Sequence, residues 1–312
     1  MPAGSQLAAA VLLLLGGGMS VSQWLQLLIS GIVTGAIYAL VGLGYVTIYR
    51  TSRVVNFAQG SFVMLGALIT YSLLHEAGLP FWLSGLVSVA AVVAIAVAMY
   101  FLVIAPIIKV SLVSMILVTI GVSLLLENLA LVKWGGYGLG IPSFPGDRTL
   151  HLWKITFEVQ NIWVIAVATV LFIGLWLLSN RTRVGKQMTA TASDPLSASL
   201  SGISTTRMVV LAFAISAAIG AIGGICVGSL TPMAYSTGGM LGLAGFIAAI
   251  VGGWGSSSGA IVGGLTVGIA ESLASGFLPG GYRSAVAYVL LIIILYFRPS
   301  GILGKGAAEA GQ

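Results

Sequence analysis

Ionised side chains are scarce in this sequence. Thirteen Lys and Arg and seven Asp and Glu make up 6% of its 312 residues, against about 25% in a soluble globular domain. No soluble fold of this length tolerates so few, so the chain reads as a polytopic membrane protein. Its excess of basic residues then belongs to membrane topology and not to nucleic acid. Cysteine is almost absent. Cys226 alone, in an apolar run, rules out an intramolecular disulfide, gives no metal site and reads as a small packed residue. Nucleotide-binding glycine spacing is missing too: Gly185–Lys186 is followed by Gln187 and lacks the upstream glycine, so the chain should not hydrolyse ATP itself. Histidine occurs twice, as His75 and His151. Either could be set beside Ser256, Ser257 or Ser258 as a hydrolase pair. Both fall in loops on the opposite side from that serine turn, and a base must reach hydrogen-bond distance of its nucleophile. GSSSG reads instead as a turn between close-packed helices. No enzyme activity and no cofactor of its own are expected.

Apolar residues are plentiful: 58% of the chain, with a mean hydropathy of +1.10. Pacing them off at about 20 residues per crossing gives nine spans: Trp24–Tyr49, Phe57–Leu74, Phe81–Ala105, Val113–Val132, Ile162–Leu178, Met208–Leu230, Met240–Trp254, Ala260–Phe277 and Ala285–Phe297. The expected fold is an all-α transmembrane helical bundle with some spans broken or re-entrant, glycines interrupting Met240–Phe277 most. Residues 1–18 lack a basic segment before a short apolar run and are set apart as an upstream extension, with Met19 the start, a cleaved leader being the weaker alternative. The transmembrane domain is taken as 19–306 and a tail as 307–312. Glycine is abundant, at 43 residues. Gly31-x-x-x-Gly35, Gly220-x-x-x-Gly224, Gly255-x-x-x-Gly259-x-x-x-Gly263 and Gly264-x-x-x-Gly268 are ridges for tight helix crossings.

Basic residues orient this bundle. With the polar segment 181–207 facing the cytoplasm, nine of the thirteen fall on that side: Arg50, Arg53, Lys109, Arg181, Arg183, Lys186, Arg207, Arg298 and Lys305. The N-terminus is then outside and the C-terminus inside. The Gly- and Pro-rich loop Lys133–Gln160 caps the extracytoplasmic mouth, with Trp134, Tyr137 and Trp153 suited to the interface. Within 181–207, Asp194 can cap a helix by accepting backbone N–H bonds. Pro195 suits the first helical position and Gly202 the left-handed residue past the end. Leu196, Leu200 and Ile203 recur at spacings near four, giving a short helix with one apolar side. Two readings stand: it docks in a partner's groove, or it covers this protein's own cytoplasmic ends.

Few polar residues interrupt the spans. Glu127 and Glu271 lie within or at the ends of spans, where a carboxylate is expensive and functional by default. They would be the relay of an ion-coupled carrier, or structural groups held by a neighbour, as Arg283 could hold Glu271. Asn56, Gln59 and Ser61 cluster in VVNFAQGSFVMLG, beside Gly60, with Asn56 and Gln59 on one helical face. They suit a broken helix lining a translocation path, or hydrogen bonding between helices.

Three ordered stretches together resemble one family, the permease subunits of bacterial branched-chain amino-acid ABC importers, in particular the H-type subunit. VVNFAQGSFVMLGALITY (54–71) is similar to that family's N-F-A-[HQ]-G-x-F-x-M-L-G-A signature. RTRVGKQMTATASDPLSASLSGI (181–203) is similar to its R-T-x-x-G-x-x-x-x-A-x-x-D-P-x-x-A-x-x-x-G-I pattern. GLAGFIAAIVGGWGSSSGAIVGGLTVGIAESLASGF and YRSAVAYVLLIIILYFRPSGILG cover most of 242–304. The resemblance implies an ABC-importer permease fold in a bacterial inner membrane, with a second homologous permease, two cytoplasmic ATPases that bind the ATP, and an extracytoplasmic substrate-binding protein. Asp194, Pro195, Leu196, Leu200, Gly202 and Ile203 would couple to the ATPase. The family often carries a Glu just after the Asp-Pro pair, where this chain has Leu196 and Ser197. Asn56, Gln59, Ser61, Glu127 and Glu271 would belong to the translocation path, carrying branched-chain or other hydrophobic amino acids by alternating access. Related permeases carry urea or short amides. No fixed charge pair in the sequence matches a zwitterion, so selectivity is expected to rest on the binding protein.

Overall fold

The computed structural model describes residues 20–107, 111–144, 146, 149–152, 155–279 and 282–304. The extension 1–18, Met19, Lys109, Arg148, Trp153, Lys154, Lys305 and the tail 307–312 lie outside the described residues.

Helices follow in the order α1 Val21–Ser52, α2 Gln59–His75, α3 Phe81–Met99, α4 Leu112–Trp134, α5 Val159–Arg181, α6 Arg183–Ser193, α7 Pro195–Leu200, α8 Thr205–Gly228, α9 Thr237–Gly252, α10 Ser257–Ser275 and α11 Arg283–Phe297. Each of the nine apolar stretches carries one of them, while α6 and α7 fold the polar segment between α5 and α8. Helix α3 continues through a π turn, Tyr100–Ile104, where the Ala105 N–H reaches back to Tyr100 O. Pro106 accounts for that turn, because its ring would collide with the carbonyl four residues back in a regular α-helix. Among the described residues six helices are long and apolar enough to cross a membrane: α1, the continuous α3, α4, α5, α8 and α10. Helices α2, α9 and α11 have 17, 16 and 15 residues and rise only about 22–26 Å, short of a hydrocarbon core of about 30 Å.

Helix α1 is central, packing against α10, α8, α9 and α5. From Ala39 to Ile48 every residue is buried, as expected of a helix apolar all round. Its crossing with α10 depends on the predicted ridges. A Cβ on Gly35 would lie 2.8 Å from Leu265 Cα, and one on Gly268 would lie 2.3 Å from Gly35 N. Backbone touches backbone there, so the contact is dispersion-rich and leaves no room for a methyl group. Helix α4 packs mainly on α2 and leaves Val113, Leu117, Leu124 and Leu125 exposed.

The two ends of the bundle differ. At one end Arg50 Nη1 donates to Ser257 Oγ at 3.1 Å, and the Ile302 N–H donates to Val251 O at 2.9 Å. The end of α1, the α9–α10 turn and the C-terminal segment therefore share the end to which α6 is also tied, through Arg53 Nε and Ala192 O at 3.5 Å. At the other end Leu139 bridges Met233, and Trp134 Nε1 donates to Ser72 Oγ at 2.6 Å. The Gly- and Pro-rich cap there includes an antiparallel hairpin of β1 Thr149–Leu152 and β2 Ile155–Glu158, a regular element that the turn-rich composition did not announce.

Candidate translocation site

Along α1, Gln26, Ser30, Thr34 and Tyr38 recur every fourth residue, one above the other on one face. All four line a cavity of about 600 Å³. Glu158 and Asn161 near the start of α5, Leu230 and Thr231 just past α8, and Arg283 and Ser284 on α11 also border it, so it lies toward the hairpin end of the bundle. Its aliphatic wall comes from Ile29, Val33, Ile37, Val227 and Leu241. Glu271 of α10 completes the lining. The Tyr38 hydroxyl donates to Glu271 Oε2 at 2.7 Å, and Arg283 Nε stands 3.8 Å from the same oxygen. Arg283 Nη2 donates to Thr34 Oγ1 at 3.4 Å. The carboxylate side chain is 4% exposed and the arginine 41%. An uncompensated buried carboxylate would be costly, and the tyrosine and the cation offset that cost.

The same face of α1 continues as Val41, Tyr45 and Tyr49. Tyr45 is buried, and the rings of Tyr45, Tyr49, Phe57, Phe246 and Trp254 pack with centroids 5.0–6.5 Å apart. Leu241 borders the cavity and also packs against this cluster. One stripe thus runs from a polar cavity at the hairpin end into an aromatic plug toward the end bearing Arg50 and Arg53. Tilted and edge-on ring pairs add roughly 0.5–1.5 kcal/mol each beyond burial.

Asn56, Gln59 and Ser61 are completely buried. Residues 53–58 are non-helical and run into the bundle before α2 begins, which is permitted at membrane depth only where protein surrounds the backbone. Asn56 Oδ1 accepts from the Ala58 N–H at 3.1 Å, while its buried Nδ2 has no hydrogen-bond partner among the described residues. Gln59 joins three helices: its Nε2 donates to Ser216 O at 3.1 Å, and Ser216 Oγ lies 2.7 Å from Gln59 Oε1 and 2.8 Å from Gly44 O. Ser61 Oγ lies 2.8 Å from Ser123 Oγ, and Ser123 donates to Glu127 Oε1 at 3.3 Å. The five predicted residues thus divide into a Gln59 knot, a Ser61–Ser123–Glu127 chain, Glu271 on the cavity wall, and Asn56, which precedes α2 and so shares no helical face with Gln59.

The polar segment holds two helices. Helix α6 is capped by Thr182, whose Oγ1 accepts from the Gly185 N–H at 3.1 Å. It buries Gly185, Met188 and Thr191 and packs on α1, α5 and α8. Asp194 then caps α7, accepting from the Leu196 N–H at 2.9 Å and from the Ser197 hydroxyl. The Ser197 hydroxyl, followed by backbone N–H groups, holds its carboxyl below the usual carboxylate range. Pro195 is at the first helical position. Gly202 has φ +80°, and the Ile203 N–H closes the end on Ala198 O at 3.0 Å. Leu196 and Leu200 are 70% and 81% exposed, whereas Ile203 packs with Met188 and Met208. The three residues therefore do not share one free face: two point outward and the third anchors α7 to α6 and α8.

Sequence reasoning missed Ser30, Thr34 and Tyr38, whereas the expected hold of Arg283 on Glu271 is present as a contact of 3.8 Å. Fourfold spacing of polar residues in the first span was the available signal for the α1 stripe.

A bundle of membrane-length helices with a partly polar cavity toward one end and a capped helix at the other fits the class of membrane transport permeases. The chain belongs to the family described as branched-chain amino acid transport system permease components, which it matches over residues 27–295. It is 31% identical to LivH of Escherichia coli strain K12, a high-affinity branched-chain amino acid transport system permease protein, over 92% of this chain and 97% of that one. BraD of Pseudomonas aeruginosa, with the same description, is 30% identical over 92% and 98%. Among solved structures, PsaBC from Streptococcus pneumoniae in complex with Fab shares the fold, with a TM-score of 0.50 at 14% identity, covering 94% of this chain and 97% of that one. A permease component of a transport system is not an enzyme class, and it works with other subunits.

Proposed function

We propose that this chain forms half of the translocation path of an ATP-driven importer for branched-chain or other hydrophobic amino acids in a bacterial inner membrane. One observation carries the reading: a single face of α1 passes from a polar, aliphatic-walled cavity into an aromatic plug. That is the arrangement of an outward-facing state in alternating access. Ile29, Val33, Ile37, Val227 and Leu241 offer branched aliphatic side chains an apolar surface, which small amides do not need, and LivH and BraD are described as carrying branched-chain amino acids.

A second homologous permease completes the path, an extracytoplasmic binding protein delivers cargo to the hairpin end, and two cytoplasmic ABC ATPases bind the ATP. Helix α7 is the coupling element, offering Leu196 and Leu200 to a groove on the ATPase while Ile203 transmits its displacement to α6 and α8. Because α8 ends at the cavity wall, movement at α7 reaches the cavity through one rigid helix. Asn56, Gln59 and Ser61 belong to the broken entry of α2, the segment that repacks as the plug opens, and Asn56 Nδ2 finds its partner in that second arrangement. Uptake into proteoliposomes holding all subunits tests the reading. L-leucine should enter only with ATP and the binding protein, whereas preferential urea uptake, or uptake driven by a proton gradient without the ATPases, would contradict it.

A further inference from the structure

We infer that Glu271 and Arg283 form a transit site for the zwitterionic end of an α-amino acid, Arg283 taking the carboxylate and Glu271 the ammonium. This rests on the reading of the cavity as the translocation path and adds to it the recognition of cargo by the permease itself. Four observations converge. The opposite charges stand 3.8 Å apart on the wall of one cavity, matching the close spacing of two ionic groups borne on a single carbon. Their contact is a lone Nε approach, longer than a hydrogen bond, with the arginine 41% exposed. The contact is long and its cation reaches solvent, so Arg283 can swing away to admit two counter-charges while the Tyr38 hydroxyl still holds the buried Glu271. Tyr38 and Thr34 hold the two heads from α1 at 2.7 and 3.4 Å, which keeps each oriented when they part. Ile37, Val33 and Leu241 border the same cavity and supply an apolar wall for the side chain.

The chemistry selects both ends of the ligand. A guanidinium fork binds carboxylate in a planar, bidentate way that an ammonium cannot copy, and Glu271, still hydrogen-bonded by Tyr38, is an acceptor for an ammonium. A neutral amide satisfies neither charge, and a ligand with one ionic end leaves the other head uncompensated in a partly dry site. The site lies on α1, α10 and α11, so relative movement of these helices as the plug opens would pull the heads apart and release the cargo.

The test uses the complete reconstituted transporter with Cys226→Ser and Ser30→Cys, labelled from outside by a membrane-impermeant maleimide. L-leucine should slow labelling severalfold, while leucinol, 4-methylpentanoate and urea should not. Arg283→Gln and Glu271→Gln should abolish that protection and lower the maximal import rate about tenfold, the loss of one charge-assisted hydrogen bond, with the KM set by the binding protein unchanged. Arg283→Lys should restore part of both. Import of L-leucine by wild type without leucine protection at Ser30→Cys, or with equal protection by leucinol, overturns the transit site and leaves the transport reading standing. Absence of any ATP-dependent L-leucine import overturns both.

Discussion

The Gln59 knot gives a stability prediction whose size can be worked out. Ser216 Oγ carries one proton and has two acceptors in range, Gln59 Oε1 at 2.7 Å and Gly44 O at 2.8 Å, while Gln59 Nε2 donates to Ser216 O at 3.1 Å. Both side chains are completely buried. Ser216→Ala deletes one hydrogen bond and leaves Gln59 Oε1 without a donor, a loss of about 1–3 kcal/mol in a protein interior. In a bilayer the unfolded reference state finds other partners, and measured side-chain couplings average about 0.6 and reach about 1.7 kcal/mol. The expected loss is therefore about 1–2 kcal/mol. Gln59→Leu removes the amide and substitutes an apolar group, at a similar cost. In the double variant no buried amide is left unpaired, so the losses should fall short of additivity by about 1 kcal/mol. Gly44→Ala should exceed either single change, since its Cβ would lie 1.9 Å from Gln59 Nε2 and expel the amide. Denaturant unfolding of the purified protein in one fixed detergent measures all four variants. Single losses below about 0.3 kcal/mol, or strict additivity, would refute the view that the three groups act as one buried unit.

Three further outcomes follow from the same geometry. Gly268→Val should give no monodisperse protein, because α1 and α10 cannot close around it, whereas Gly121→Ala, with nothing within 4 Å, should be tolerated; size-exclusion profiles decide. Asp194 has a lowered folded pKa, so its cap on α7 is fully present above the ordinary carboxylate value and is lost as pH falls through the folded one. Hydrogen exchange, corrected for intrinsic rates, should show protection of the Leu196 amide falling only in that acidic window, and no such window in Asp194→Asn. Leu200→Asp should fold normally, since Leu200 is 81% exposed, yet lose co-purification with the ATPase subunits; retention would remove this face of α7 from the docking surface.

The helices were legible because membrane spans are set by length and apolarity, and these are properties of single stretches. Each of the nine apolar runs holds its helix, and the caps at Asp194 and Gly202 follow from local backbone chemistry. Helix α6 was hidden because its apolar residues are few and its partner surface comes from α1, α5 and α8. Ile203 was grouped with Leu196 and Leu200 by spacing, but the left-handed Gly202 between them turns the chain before Ile203 is reached. The cavity was the least legible feature. Gln26, Ser30, Thr34 and Tyr38 carry a visible period, but Glu271 and Arg283 join it only through the α10–α11 corner and the packing of α10 on α1. The pairing of Glu271 with Arg283 across that corner is local enough to be read from sequence, whereas its meeting with the α1 stripe is long-range information.

Cysteine accessibility tests the path along α1 most directly, since Cys226 is the single native cysteine and can be replaced. In a Cys226→Ser background, Thr34→Cys reports on the cavity and Val41→Cys on the plug. Without ATP, Thr34→Cys should react with an impermeant maleimide from the outside while Val41→Cys is protected from both sides. During ATP turnover with loaded binding protein, Val41→Cys should become reactive from the cytoplasmic side. Labelling of Val41→Cys from the outside at rest, or a Thr34→Cys that never reacts in any state, would contradict the account.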